Sequence, residues 1–186
     1  MKKFWIVVIV VLALIALWSV AAFIGFTNSE ENMKNVWMQV EADYGLRADA
    51  VSQLIAAMDT LAADSTGLRM QEIKDVCKAA SDASVDPDAL TPENIASYRA
   101  VQDEFSNSIG LLWGHGAGGF TELWENVISA EVGIGKSVAK FDESVYAYNA
   151  SIEKLPSRLF ARMFRFSPAA YFEAEPDTDI APVVQF

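Results

Sequence analysis

The sequence contains one cysteine and one histidine among its 186 residues, Cys77 and His115. A single cysteine excludes an intrachain disulfide, and Cys77 is interpreted as an inert, half-buried thiol, the alternative being a link between two copies. One histidine leaves little material for a metal site or a nucleophile–base pair, and no zinc-type spacing, Glu-x-x-His pair or nucleophile elbow is present. We therefore expect no enzymatic activity, no cofactor and no metal, with His115 exposed in a loop.

Charge is absent from Phe4 to Ser29. The apolar part, Phe4–Phe26, would span about 34 Å as a helix, enough to cross a hydrocarbon layer of about 30 Å. Lys2 and Lys3 precede it and favour a cytoplasmic N-terminus. The alternative is a cleaved signal peptide ending at Ser19-Val20-Ala21, but the apolar run continues past that point. We expect residues 1–29 to anchor a single-pass protein in the cytoplasmic membrane of a bacterium, with the remaining residues outside.

Basic residues are scarce beyond the anchor. Removing Lys2 and Lys3 from the 14 basic residues leaves 12, against 25 acidic ones. Nucleic-acid binding needs clustered lysine and arginine, so no nucleic-acid partner is expected. The acidic balance is explained most simply by solubility outside the cell.

Two apolar seams with alternating spacings of four and three residues predict two long helices that pack against other helices. The first seam contains Met33, Trp37, Val40, Tyr44, Arg47, Val51, Leu54, Met58 and Leu61. The second contains Phe120, Trp124, Val127, Glu131, Ile134, Val138, Phe141, Val145, Tyr148 and Ile152. Shorter helices are expected near 68–80 and 92–113, and Pro156 should end the last helix. These features predict an all-α fold, an antiparallel up-down-up-down four-helix bundle over residues 30–156.

Each seam contains one charged residue, Arg47 in the first and Glu131 in the second. A lone buried charge is costly and a paired one is tolerable, so we hypothesise a buried ion pair between them. Counted from the membrane end, Arg47 lies about 16 residues up and Glu131 about 23, a mismatch near 10 Å. The alternative is that each side chain extends to solvent at the edge of its seam.

Residues 130–137 fit a relaxed phosphate-loop pattern that ends in Gly135-Lys136-Ser137. Such a loop requires a strand before it and a helix after it, so that backbone amides face the phosphate. The second seam runs straight through this segment, which argues against nucleotide binding. Gly133 and Gly135 are interpreted instead as sites of close helix approach or as a weak point in the helix.

Residues 157–166, SRLFARMFRF, form a basic amphipathic segment in an acidic chain. This pattern is typical of a helix at a membrane surface. We expect membrane-surface contacts from Arg158, Phe160, Arg162, Phe164 and Arg165. The alternative is that the segment caps the bundle or contacts a neighbouring subunit. Residues 167–186 should form an extended tail, with apolar side chains available for docking at Tyr171, Phe172, Val183, Val184 and Phe186.

The last 46 residues resemble the end of the LemA family. The resemblance is carried by Phe141-Asp142, Tyr148-Asn149, Leu155-Pro156, Tyr171-Phe172-Glu173-Ala174 and Ala181-Pro182. Near the front, Arg47, Asp49 and Leu54 also match the family pattern, and Glu131 falls where the family has Glu, whereas residues 61–126 show little likeness. The resemblance implies one N-terminal membrane helix followed by a bundle of long helices, and it implies no reaction.

The seams, the glycine-bearing fourth helix and the aromatic tail suit a structural or scaffolding protein that forms homo-oligomers at the membrane surface. The second hypothesis is an adaptor or regulator of another envelope protein, such as a protease or a stress-response system. The expected partners are the lipid bilayer, further copies of the chain and other envelope proteins. If the apolar side chains of both seams are buried within a single copy of the bundle, the protein is a monomer.

Overall fold

The computed structural model describes residues 2–61, 67–114 and 119–173, and their regular structure is entirely helical. The five helices are α1 (Lys2–Leu61), α2 (Gly67–Asp82), α3 (Pro92–Gly114), α4 (Thr121–Glu153) and α5 (Ser157–Phe164). No strand occurs in these ranges, so the predicted all-helical class is confirmed. His115 and residues 174–186, including Val183, Val184 and Phe186, lie outside the described residues.

Helix α1 is a single helix of 60 residues. It passes through Thr27–Ser29 without interruption, so the charge-free segment and the first helix of the domain are continuous. Within it lies a stretch that is long and apolar enough to cross a membrane, and none of that stretch is buried by the rest of the chain. The prediction of one apolar N-terminal helix is therefore confirmed.

The seam residues of α1 and α4 form most of the core. In α1 the buried seam residues are Met33, Trp37, Val40, Tyr44, Arg47, Val51, Leu54 and Met58, and the side chain of Leu61 lies outside the described part. In α4 they are Val127, Ile134, Val138, Phe141, Val145, Tyr148 and Ile152. Phe120 and Trp124 are partly exposed where α4 begins. Apolar residues repeated every 3.5 positions lie on one face of a helix, which explains this burial.

The heights at which residues of α1 and α4 meet differ from those predicted by counting residues from the membrane end. The rings of Trp37 and Phe141 lie 5.1 Å apart, and the Arg47 Nη1 atom lies 2.9 Å from Glu131 Oε1. Trp37 and Arg47 are ten residues apart on α1, and their partners Phe141 and Glu131 are ten residues apart on α4. Continuing this pairing along both helices places Ile152 level with Phe26, and both residues belong to one core cluster. The expected mismatch near 10 Å is wrong, because α4 ends beside the charge-free segment rather than above it.

The connections follow the local sequence. Helix α2 ends at Asp82, and the Thr91 hydroxyl accepts a hydrogen bond from the Asn94 amide at 3.2 Å, as expected of a residue before a helix that begins at Pro92. Helix α4 ends at Glu153, three residues before Pro156. These connections bring α3 and the segment after α5 against the core helices.

Candidate functional site: a buried arginine and a C-terminal strap

Arg47 lies at the centre of a polar network between α1, α3 and α4, and only 1% of its surface is exposed. Nη1 donates to Ser106 Oγ at 2.7 Å and to Glu131 Oε1 at 2.9 Å. Nη2 donates to the side-chain and backbone oxygens of Gln102 at 2.9 and 3.2 Å. Gln102 also donates to the Ala80 carbonyl at 3.0 Å, so the network extends to α2. We call Arg47, Gln102, Ser106 and Glu131 the Arg47 centre.

Aromatic rings cover the Arg47 guanidinium. Its central carbon lies 4.9 Å from the Tyr44 ring centroid and 5.0 Å from that of Phe105, distances typical of cation–π contact. Burial raises the pKa of Tyr44 to about 12, although the positive charge of Arg47 acts in the opposite direction. Nε of Arg47 is the single buried side-chain nitrogen or oxygen without a hydrogen-bond partner in the part of the chain that the structure describes.

The structure brings the two charged seam residues together, but only one of them is buried. The Glu131 side chain is 44% exposed, so its carboxylate sits at the edge of the helical domain and reaches inward to the guanidinium. Both terminal nitrogens of Arg47 are bonded to protein groups. The centre therefore has the chemistry of a fixed crossbrace between helices rather than of an anion-binding fork.

A second cluster forms where the chain returns after α5. Phe172 is buried against three aromatic side chains of α1 and α3, with ring centroids 6.1 Å from Trp37, 6.0 Å from Tyr44 and 6.5 Å from Tyr98. Tyr171 is half-buried and has interactions of its own. The expectation that Phe172 is available for docking is wrong, because the domain itself provides its binding pocket. We call residues 167–173 the strap.

Side chains on α4 hold the strap in place. Asn149 donates to the Ala169 carbonyl at 3.0 Å and accepts from the Ala169 amide at 2.8 Å, which reproduces the pairing of a sheet. One heptad earlier, Asp142 accepts from the amides of Phe172 at 2.7 Å and Glu173 at 3.1 Å. Asp142 and Asn149 thus grip the strap at two levels of one helix face.

Two further contacts complete the grip. The Tyr148 hydroxyl donates to the Ser167 carbonyl at 3.0 Å, and Arg99 of α3 donates to the Phe172 carbonyl at 2.9 Å. Burial raises the pKa of the Asp142 carboxyl, although the two amides that it accepts from act in the opposite direction. No pattern in the sequence assigned these residues to a site. The available signal was the seven-residue spacing of Asp142 and Asn149 beside the apolar seam.

The model of the LemA family matches residues 36–186. The chain belongs to the LemA family. The matched region includes the Arg47 centre, the strap and α5, whereas the charge-free segment of α1 lies outside it. Comparison with curated proteins and with solved structures gives no match. Membership of the LemA family agrees with a membrane-associated protein.

In this LemA family chain, the aromatic residues of α5 contact α1. Phe160 packs against Trp18 at 5.9 Å between centroids, and Phe164 packs against Phe23 at 5.1 Å. Just beyond α5, Phe166 packs against Phe23 and Phe26 at 5.9 and 5.3 Å. These rings are therefore held by the protein itself, which differs from the expected contact of Phe160 and Phe164 with lipid. The three arginines, Arg158, Arg162 and Arg165, are exposed.

The remaining motifs of the LemA family chain have ordinary structural explanations. Residues 130–137 lie inside α4, so they form no loop of backbone amides. A Cβ atom at Gly133 would meet the Asp43 carboxyl carbon at an ordinary 3.9 Å, and one at Gly135 would meet nothing within 4 Å. Close helix approach within the chain therefore does not require either glycine. The Cys77 thiol is buried and donates to the Ala48 carbonyl at 3.6 Å, and burial raises its pKa.

Proposed function

We propose that this chain is a membrane-anchored envelope protein with a structural, non-catalytic role, which assembles with further copies of itself at the membrane surface. The observation that carries the proposal is the continuity of α1. Its first half exposes a charge-free apolar surface, and its second half is the central helix of the domain. Apolar surface is worth about 25 cal/mol per Å² when it is removed from water, so the exposed half is suited to a lipid environment.

The domain is proposed to be an antiparallel four-helix bundle. The order of contacts supports this arrangement, because positions that rise along α1 from Trp37 to Arg47 meet positions that fall along α4 from Phe141 to Glu131. Helix α2 contacts both α1 and α3. The positive residues Lys2 and Lys3 favour a cytoplasmic N-terminus and an extracytoplasmic bundle.

Self-assembly is supported by a second apolar stripe on α4, which faces away from the core. Its members are exposed and repeat at spacings of four and three residues over Ile128, Val132, Gly135 and Ala139, with Tyr146 one heptad beyond Ala139. This is the pattern of a helix that packs against another helix. The small residues Gly135 and Ala139 at its middle would let two such helices approach closely.

The membrane sets how two copies can meet. Copies anchored in one bilayer with the same orientation are related by an axis along the membrane normal, so their α4 helices pack in parallel with equal residues at equal heights. In a parallel pair of helices, a charged residue beside the seam interacts across it with the residue five positions further along the partner helix. Glu131 and Lys136, both exposed, are five residues apart and of opposite charge, and Arg47 contacts only the Oε1 atom of Glu131. This complementarity favours a second copy over an unrelated partner.

The test uses the full chain in nanodiscs or mild detergent, with mass measured by light scattering. Val132→Glu places a charge in the stripe at a residue that is 54% exposed, so folding should be unaffected and the assembly should become smaller. Leu46→Glu is the matched control, because Leu46 is 60% exposed and lies on α1 outside the stripe. An unchanged assembly in Val132→Glu would exclude the stripe. A monomeric wild-type chain that co-purifies with another envelope protein would favour the adaptor hypothesis instead.

A further inference from the structure

The turn between α4 and α5 lies at the level of the charge-free segment of α1. At the register of the two long helices, Ile152 is level with Phe26, and α4 ends one residue later. Helix α5 then rises alongside α1, since Phe160 contacts Trp18 and Phe164 contacts Phe23. A hydrocarbon layer of about 30 Å that begins at Phe4 would end near Phe23, so α5 lies just inside this boundary and ends at it.

The outward side of this element is apolar. Leu155 is 79% exposed, Leu159 is 64% exposed and Met163 is 60% exposed, and they are spaced four residues apart. Ala161, on the opposite side of α5, is buried in the core, and Phe160 and Phe164 point to α1. This outward side therefore presents two leucines and a methionine.

The flank of α5 that faces away from α1 is basic. Arg158, Arg162 and Arg165 are exposed, and among the residues that the structure describes none of them forms an ion pair. In a chain of net charge −11, these unpaired arginines form a local basic surface with which an anionic partner would form ion pairs. Guanidinium groups bind phosphate through two parallel hydrogen bonds.

We propose that α5 and the preceding turn form a lipid-binding element. Leu155, Leu159 and Met163 insert among the acyl chains of the leaflet nearest the bundle, and the arginines bind phosphates of anionic lipids. This inference rests on the proposed membrane anchoring by α1. It differs from the expectation drawn from the sequence, because the aromatic rings clamp α5 to the anchor while the aliphatic side chains enter the lipid.

A lipid occupant is favoured over a protein because the stripe continues the exposed surface of the anchor. Trp18 and Phe23, which hold α5, are themselves exposed on their other sides. Three side chains fall far short of the roughly 800 Å² per partner of a typical stable protein interface. A helix that lies at a membrane boundary needs no larger area, because the anchor already holds it in place.

The first test places a nitroxide label at Met163→Cys in the full chain, in nanodiscs of phosphatidylcholine with phosphatidylglycerol. If the Met163 label is in lipid, oxygen, which is enriched there, should broaden the spectrum of the label strongly. A water-soluble nickel chelate should broaden it only weakly. Leu14→Cys reports on the anchor, and Leu46→Cys is an exposed site on the bundle outside the α4 stripe. The buried thiol of Cys77 can stay, with the labelled wild-type chain as a blank.

The outcomes separate the two proposals. If the Met163 label resembles the Leu14 label, α5 is in lipid; if it resembles the Leu46 label, the lipid-binding element is overturned while the anchor stands. A Leu14 label that is accessible to the nickel chelate would overturn the anchoring itself.

The second test concerns the arginines. In the Met163-labelled chain, removing phosphatidylglycerol from the nanodisc should raise exposure to the nickel chelate. Replacing Arg158, Arg162 and Arg165 by glutamine should raise it similarly and abolish the dependence on lipid charge. Equal exposure in all four combinations of protein and lipid would overturn phosphate binding by these residues.

Discussion

Arg47 and Glu131 are joined at 2.9 Å although the Arg47 side chain is buried and the Glu131 side chain is 44% exposed. The asymmetry means that the two residues contribute differently to the free energy of unfolding. Loss of Arg47 empties a buried site and leaves the side-chain oxygen of Gln102 without its donor, whereas the Gln102 carbonyl still accepts from the Ser106 hydroxyl. Loss of Glu131 leaves Arg47 with its bonds to Ser106 and Gln102.

We therefore predict that Arg47→Ala lowers the free energy of unfolding by about 3–5 kcal/mol, the range for breaking a buried charged network. Glu131→Ala should cost about 1 kcal/mol, because its carboxylate is half in water. The double variant should show a coupling of about 1 kcal/mol in urea denaturation of the full chain in mild detergent. Independent effects that simply add would mean that the contact contributes nothing to stability.

The pair of hydrogen bonds between Asn149 and Ala169 predicts a specific effect of Asn149→Asp. The new carboxylate can still accept from the Ala169 amide, but it faces the Ala169 carbonyl with an oxygen where the wild type has a donor. Release of the strap should become easier by about 1–3 kcal/mol, so exchange of the Ala169 and Phe172 amides should accelerate about 5-fold to 150-fold.

Hydrogen exchange measured by mass spectrometry checks this effect. Asn107→Asp, at an exposed position on α3, makes the same chemical change away from the strap and should leave the exchange unaltered. Equal exchange in the two variants would show that Asn149 does not hold the strap.

The raised pKa of Asp142 predicts a pH dependence. The folded state holds this proton at pH values where the unfolded carboxyl, near 3.8, has already lost it. The contribution of Asp142 to stability is therefore full below the unfolded pKa, and it is lost as the pH rises through the folded pKa. The free energy of unfolding of the wild type relative to Asp142→Asn should increase on acidification from neutral pH towards 3.8. A decrease would mean that the two strap amides outweigh burial.

Arg165 ends α5 in the left-handed conformation, with φ 64°. Its amide donates to the Arg162 carbonyl, and the Phe166 amide donates to the Ala161 carbonyl, as in a Schellman motif. Glycine adopts this conformation without a steric cost, so Arg165→Gly should stabilise the chain by about 1 kcal/mol. Arg162→Gly removes the same charge within the helix and should cost about 1 kcal/mol. Thermal unfolding that moves in the same direction for both variants would contradict this account.

The two apolar seams predicted the buried faces of α1 and α4 almost residue by residue, because helical periodicity is written directly into the order of apolar and polar side chains. The relative heights of α1 and α4 were not predictable, because the count along the sequence assumed that α4 ends above the charge-free segment. The count could not reveal that Ile152 descends to the level of Phe26, since this depends on Trp37 meeting Phe141 in three dimensions.

The strap and the orientation of α5 could not be predicted from the sequence, for a different reason. The strap has no periodicity, and its contacts to Asp142 and Asn149 join residues that are 20 to 31 positions apart in the chain. In α5 the amphipathic pattern separates arginines from apolar residues, but it does not distinguish Phe160, which packs on Trp18, from Leu159, which is exposed. Only the position of the charge-free segment of α1 beside α5 makes that distinction.

The unbroken α1 also gives the proposed anchor a mechanical role. From Asn28 to Leu61 it extends about 50 Å beyond the charge-free segment, and α4 and the strap splint it against bending near the bilayer. A change of 10° in the tilt of the anchor would swing the far end of the domain through about 9 Å. Since tilt responds to the match between helix length and bilayer thickness, the domain would work as a lever whose position reports the thickness of the membrane beneath it.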